Sequence, residues 1–188
     1  LGASADAGVQ QFIAATLLLW SGNRPWAVAG YIIVLSLITA VAVSYGPLVT
    51  AGTYLVQRGT IPTSIILISL PLGVLIAAFL WINEFPDYSA DALSGKRTLV
   101  VRLGRAGAAE GFAWLGVAAA AILAMLPVAG LPPSVWLGGV AAFRFVPAAR
   151  ILMASPEDTA RLVPAQAMTL QAFLLYAVGA SAGVLLGS

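Results

Sequence analysis

Residues 26–57 contain no charged side chain at all. One straight helix over that stretch would rise about 48 Å at ~1.5 Å per residue, well beyond a bilayer core of ~30 Å. No water-soluble surface can be made from such a run, and the rest of the chain is built alike. It is 61% hydrophobic and 9% charged, where soluble chains carry roughly 25% charged residues. This is a membrane protein. A spanning helix needs about 20 predominantly apolar residues, and the sequence supplies several. Residues 12–20, extended back to Ala5, form a short apolar stretch that ends at residues 21–24. The run 26–57 is too long for one crossing and has its obvious break at Gly46-Pro47. Residues 62–82 form a clean span in which Pro71 marks a kink. Residues 106–128, 134–153 and 163–186 complete the set. The expected fold class is all-α, a multi-pass transmembrane helix bundle of six or seven crossings, in one domain over residues 1–188.

Composition also removes chemistries. The chain has no cysteine and no histidine, so thiol catalysis, thiolate metal sites and the commonest general base are unavailable. Any metal must be a hard ion held by oxygen, with Mg²⁺ the natural candidate. The net charge of +2 suits loops facing anionic lipid heads better than a nucleic-acid surface. Basic residues also set orientation, since they concentrate on the cytoplasmic side. The loop after Ile82 carries four of them and the segment 150–161 falls on the same side, so both are expected in the cytoplasm. Arg58 is then a minor exception on the outside. Trp20, Trp26, Trp81 and Trp136 sit at helix ends, as an interfacial aromatic belt requires.

Almost all the polar chemistry lies in one island, residues 83–105. Glu84, Asp87 and Asp91 open it; Lys96, Arg97, Arg102 and Arg105 close it. Asp87 and Asp91 are four apart, so on a helix they share a face, with Asn83 a further turn back. Pro86 argues for a break near Phe85 and a short helical turn carrying both aspartates. Two carboxylates this close repel unless a cation lies between them. Mg²⁺ accepts one or two carboxylates and completes its shell with water and substrate phosphate oxygens. Lys96 and Arg97 follow at a distance that lets them meet the same phosphates, the guanidinium in bidentate fashion. Gly95 frees the turn between. The same residues also read as a solvated loop in which Asp91 and Lys96 form an ordinary ion pair. Arg102 and Arg105 are expected as interface anchors, and Arg144 and Arg150 as side chains snorkelling to lipid heads.

The run Asn83-Glu84-Phe85-Pro86-Asp87-Tyr88-Ser89-Ala90-Asp91, followed by Gly95-Lys96-Arg97-Thr98-Leu99 and Leu103-Gly104, resembles the second aspartate-rich motif of the UbiA superfamily of intramembrane prenyltransferases. It looks most like the menaquinone branch, which prenylates 1,4-dihydroxy-2-naphthoate. Gly46-Pro47-Leu48 with Gly52-Thr53-Tyr54 is similar to that branch's fifth helix. The resemblance implies a bundle of about nine helices, of which this chain corresponds to the third through ninth, the C-terminal two-thirds. It implies Mg²⁺ held by Asn83, Asp87 and Asp91, with Asp87 and Asp91 central to catalysis, and Lys96 and Arg97 on the diphosphate. The partners implied are an isoprenyl diphosphate, an aromatic or other small lipid-precursor acceptor, and membrane lipid, with the active site toward the cytoplasm.

The family's first aspartate-rich motif has no counterpart, because the only acid before Glu84 is Asp6. The polar segment between the family's fourth and fifth helices is also missing at Tyr45-Gly46. Absent residues, a truncated chain and a degenerate homologue are the three accounts, and a chain opening on Leu1 favours the first two. Half of a two-metal site is not expected to catalyse alone. Acceptors used by relatives include 4-hydroxybenzoate, chlorins and glycerol phosphate. The competing classes are a cation transporter using Asp87 and Asp91 and a non-catalytic membrane scaffold.

Overall fold

The computed structural model describes Ser36 and residues 38–187. The expected stretch at residues 5–20, Trp20 and Trp26 lie outside the described residues. Nearly everything described belongs to the second of two compact units, Ala40–Ser188, and the account below concerns that unit. Among the described residues there is no strand. Five helical segments are long and apolar enough to cross a membrane: Ile38–Arg58, Thr63–Asn83, Leu99–Met125, Pro133–Ala154 and Thr159–Gly187. We label the α-helices α1 (Val49–Arg58), α2 (Thr63–Asn83), α3 (Tyr88–Leu93), α4 (Leu99–Met125), α5 (Ala142–Ala154) and α6 (Thr159–Gly187).

Gly46-Pro47 does not break the first segment as its sequence suggests. A π-helical turn, Ser44–Leu48, carries the chain through Pro47 and into α1. Widening one turn is a recognised way to absorb a residue that cannot donate its amide. The close neighbour is α2. A Cβ on Gly46 would lie 2.6 Å from the Ser69 carbonyl oxygen, and one on Gly73 would run into the carbonyl of Ala42. The two backbones therefore touch, as small residues permit in lipid-embedded bundles. The segment ends at Gly59, whose φ of 73° turns the chain back.

Pro71 lies inside α2 and is buried. It leaves the Leu67 carbonyl without its amide donor, and in the same turn the Tyr176 hydroxyl of α6 donates to the Ile68 carbonyl at 2.6 Å. Polar contacts from a neighbouring helix are how membrane helices tolerate proline. The span expected at residues 134–153 is present, but its first part, Pro133–Ala141, is a 3₁₀ helix. Runs that long are uncommon. This one is pressed against α6, where a Cβ on Gly179 or Gly183 would strike the carbonyls of Leu137 and Ser134. Ser134 Oγ also donates to the Gly183 carbonyl at 2.5 Å.

Buried side chains run down the middle of this packing: Ala78, Ile82, Phe112, Val135, Ala148, Leu152, Leu162 and Ala172. Phe112 and Phe145 stack face to face, centroids 4.8 Å apart, and Phe79 meets Phe173 edge-on at 5.6 Å. Trp81 is not part of an interfacial belt. It is 5% exposed and lies where a Cβ on Gly111 would touch its ring at 3.1 Å. Trp136 and Trp114 are the exposed tryptophans among the described residues.

Candidate active site

The site is built where α2 stops. Asn83, its last residue, donates Nδ2 to the Phe79 carbonyl at 2.7 Å. That bond fixes the amide and leaves Oδ1, the atom a metal needs, outside it. Successive turn bonds follow, Glu84 N–H to Trp81 O, Phe85 N–H to Ile82 O and Tyr88 N–H to Phe85 O. Phe85 anchors this turn in the core at 1% exposure. The break therefore falls where Pro86 predicts it, although Pro86 stands before the next helix instead of opening it. Asp87 is the N-cap residue of α3 and Asp91 lies within its first turn. The Asp91 amide donates to the Asp87 carbonyl at 2.8 Å, so the two aspartates stand one helical turn apart.

Asp91 is 8% exposed, an unusual place for a carboxylate. Its Oδ1 pairs with Lys96 Nζ at 3.0 Å. Its carbonyl accepts from the Lys96 amide at 2.9 Å and from Ser94 Oγ at 3.0 Å. Gly95 makes the loop possible, with φ of 76° in the left-handed region. The hydrogen bond to Asp91 and its negative charge push the Lys96 ammonium up from the usual lysine value, with smaller help from Asp87 and Glu84. Asp87 itself is exposed, as is Arg97, whose carbonyl accepts from Arg102 Nε at 3.0 Å.

Two residues do more than their sequence positions announce. Glu84 is half-buried, with Oε2 shut off from solvent and without a hydrogen-bond partner. Desolvation raises its carboxyl above the usual range; a backbone bond from Val100 opposes this, Asp91 adds to it and Lys96 subtracts. Glu84 thus belongs to the same electrostatic cluster as Asp87, Asp91 and Lys96. Its place in the acidic run was the only signal for it. Arg105, expected as an interface anchor, is instead tied inward. Its guanidinium lies 4.5 Å from the Tyr88 ring centroid and Nη2 donates to Ser89 Oγ at 3.2 Å. It can reach α3 because α4 is interrupted at Gly104, where φ of 72° and ψ of 159° redirect the chain.

The donor set of Asn83, Asp87 and Asp91 is all oxygen, two carboxylates and an amide. The nearby Glu84 Oε2 is a buried acceptor lacking a donor. These features suit one hard divalent cation whose remaining positions go to water and phosphate. Among the described residues no group of three or more Asp, Glu, His or Cys side chains is arranged to enclose a metal, so a protein-only cage is not what this island offers.

Residues 7–171 match the UbiA prenyltransferase family, and the chain belongs to that family. With five membrane-crossing helices among the described residues, it is an integral membrane protein. It is similar to the 1,4-dihydroxy-2-naphthoate octaprenyltransferase of Escherichia coli, 34% identical over 149 residues, which is 79% of this chain and 47% of that protein. It is also similar to the protein of the same name from Haemophilus influenzae, 45% identical over 65 residues, covering 35% of this chain and 21% of the relative. The chain spans about half the length of the first of these relatives. No solved structure matches it.

Proposed function

We propose that this chain carries the second aspartate-rich half of the active site of an intramembrane prenyltransferase. The reaction is transfer of an isoprenyl chain from an allylic diphosphate to an aromatic ring, with 1,4-dihydroxy-2-naphthoate the acceptor best supported by the relatives' names. The observation that carries the reading is the placement of Asp87 and Asp91 one helical turn apart after the end of a spanning helix, with Lys96 paired to Asp91 and Arg97 next in sequence.

In this reading Asn83, Asp87 and Asp91 would hold Mg²⁺, which when bound would supply neutralising charge to the diphosphate. Lys96 and Arg97 present cations to the same group from the far side of the Gly95 turn. As the allylic C–O bond breaks, its electron pair goes to the diphosphate, and positive groups already in place favour that charge without reorganising. The acceptor ring's π electrons form the new C–C bond, and aromaticity returns as the attacked carbon releases what it carried, a proton to solvent or, from a carboxylate-bearing carbon, CO₂. The apolar helices bordering the island exclude water from the allylic cation. A transport route for cations would place its carboxylates within the spans; these follow the last residue of α2.

The test is prenyl transfer in membranes from cells expressing the whole gene product. Asp87→Ala and Asp91→Ala are each expected to lower the rate by ~10²-fold or more, the scale of a lost transition-state charge partner, with insertion unchanged. Wild-type rates from both variants would reduce the island to solvated surface.

A further inference from the structure

We propose that the cleft between α4 and α5 is a binding site for one anionic phospholipid, its hydrocarbon chain in the cleft and its phosphate at Arg150. The cleft has a volume of about 350 Å³, at the small end of the ~300–1,000 Å³ range for ligand cavities and suited to a single chain. Small apolar residues form its walls: Ala113, Val117 and Ala120 from α4, and Ala142, Val146 and Ala149 from α5. Val117 and Val146 are 55% and 43% exposed, so the cleft opens sideways toward lipid. Two polar side chains line it. The Tyr176 hydroxyl is already committed to the Ile68 carbonyl, which leaves Arg150 as the other polar residue of the lining.

Arg150 lines a second cavity too, of about 360 Å³, together with Ser155 and Arg161. The apolar cleft and this cationic pocket therefore share Arg150. Arg161 is balanced by Asp158, 3.3 Å away, and reaches Ser155 Oγ at 3.4 Å. Arg150 has no ion pair or hydrogen bond among the described residues, which leaves one positive charge unmatched. A phosphodiester brings one negative charge and the oxygens that a guanidinium grips well. A diphosphate would bring more charge and call for a metal, and no carboxylate pair lines either cavity. No residue of the 83–105 island lines them either, so this site is separate from the candidate active site.

Native mass spectrometry of the purified protein in mixed phosphatidylglycerol–phosphatidylcholine micelles tests the proposal. One phosphatidylglycerol should be retained in preference to phosphatidylcholine. Arg150→Gln should weaken that retention on the order of tenfold, while Arg144→Gln, on the same helix and outside both cavities, should not. Ala142→Phe, which fills the cleft, should lower retention of any two-chain lipid. Equal losses at positions 144 and 150, equal retention of the two lipids, or displacement by farnesyl diphosphate would each overturn the assignment. A phosphatidylglycerol carrying a photoreactive group in its acyl chain reads the wild-type protein directly. Labelling within residues 113–120 and 142–153 is expected, and labelling spread over other helices would sink the idea independently of how the variants fold.

Discussion

At Asp91 both the side chain and the main chain are engaged, the carboxylate by the Lys96 ammonium and the carbonyl by the Lys96 amide and the Ser94 hydroxyl. Because Lys96 titrates above its usual value in the fold, its share of the pair is fully present below the ordinary lysine range and is lost only as pH rises through the raised value. Neutral pH lies well inside that window, so the pair is a fixed element and no switch. It is also an exposed cation on a buried anion, which leaves the ammonium free to share itself with an incoming phosphate. If Lys96 and Arg97 grip diphosphate, Lys96→Ala and Arg97→Ala should each weaken isoprenyl diphosphate binding about tenfold or more, the scale of charged hydrogen bonds. Arg97→Lys should fall between, keeping charge but losing the planar fork. Arg58→Ala, outside the island, should leave the donor dissociation constant unchanged; equal losses at all three positions would mean a diffuse basic surface. Arg105 makes a poor control, since its stack on Tyr88 supports α3.

Among the elements, α2 does most to place the site, because its end sets the position of Asn83, Glu84 and Asp87 together. Its position is in turn fixed by the contact of Gly73 with the preceding helical segment. A Cβ on Gly73 would meet the Ala42 carbonyl, a backbone atom that cannot swing aside. Gly73→Ala should therefore destabilise the protein by about 1–3 kcal/mol, as overpacking does. Gly52→Ala, with nothing within 4 Å of its added methyl, should be neutral or gain ~0.5–1 kcal/mol from helix propensity. Thermal midpoints in one detergent compare them, and indistinguishable values would show that the helices do not make this contact. The sequence marked Gly46-Pro47 as a break because it reports only that an amide is missing. Whether the chain then bends away or absorbs the proline in a wider turn depends on the neighbour it packs against.

For the molecule as a whole, successive spans must alternate in direction, so the island and the short loop at residues 155–158 share one end of the bundle. Arg58 stands at the other. The excess of basic residues near the island predicts, by the positive-inside rule, that its end faces the cytoplasm. Leu93→Cys is suited to a test because Leu93 is 90% exposed and makes no polar contact that the site needs. An impermeant thiol reagent should label it in inverted vesicles and leave it untouched in intact cells, with Gln57→Cys giving the opposite pattern. Labelling of position 93 from outside would reverse the topology and overturn the cytoplasmic placement of the island.

The sequence by itself determined that this chain lives in a membrane, roughly where its helices run, and which residues hold the polar chemistry. Those properties follow from local composition: long uncharged runs have no other environment, and few carboxylates can be hidden in a chain so poor in charge. The family likeness was legible for the same reason, since its motif is one contiguous stretch. Tertiary structure alone decided the rest. Burial of Asp91, the unpartnered oxygen of Glu84, the inward turn of Arg105 and the 3₁₀ course of residues 133–141 each depend on a neighbour distant in sequence or on a backbone break whose direction no residue type specifies. Desolvation and close packing are properties of what surrounds a group, and a sequence states only the group.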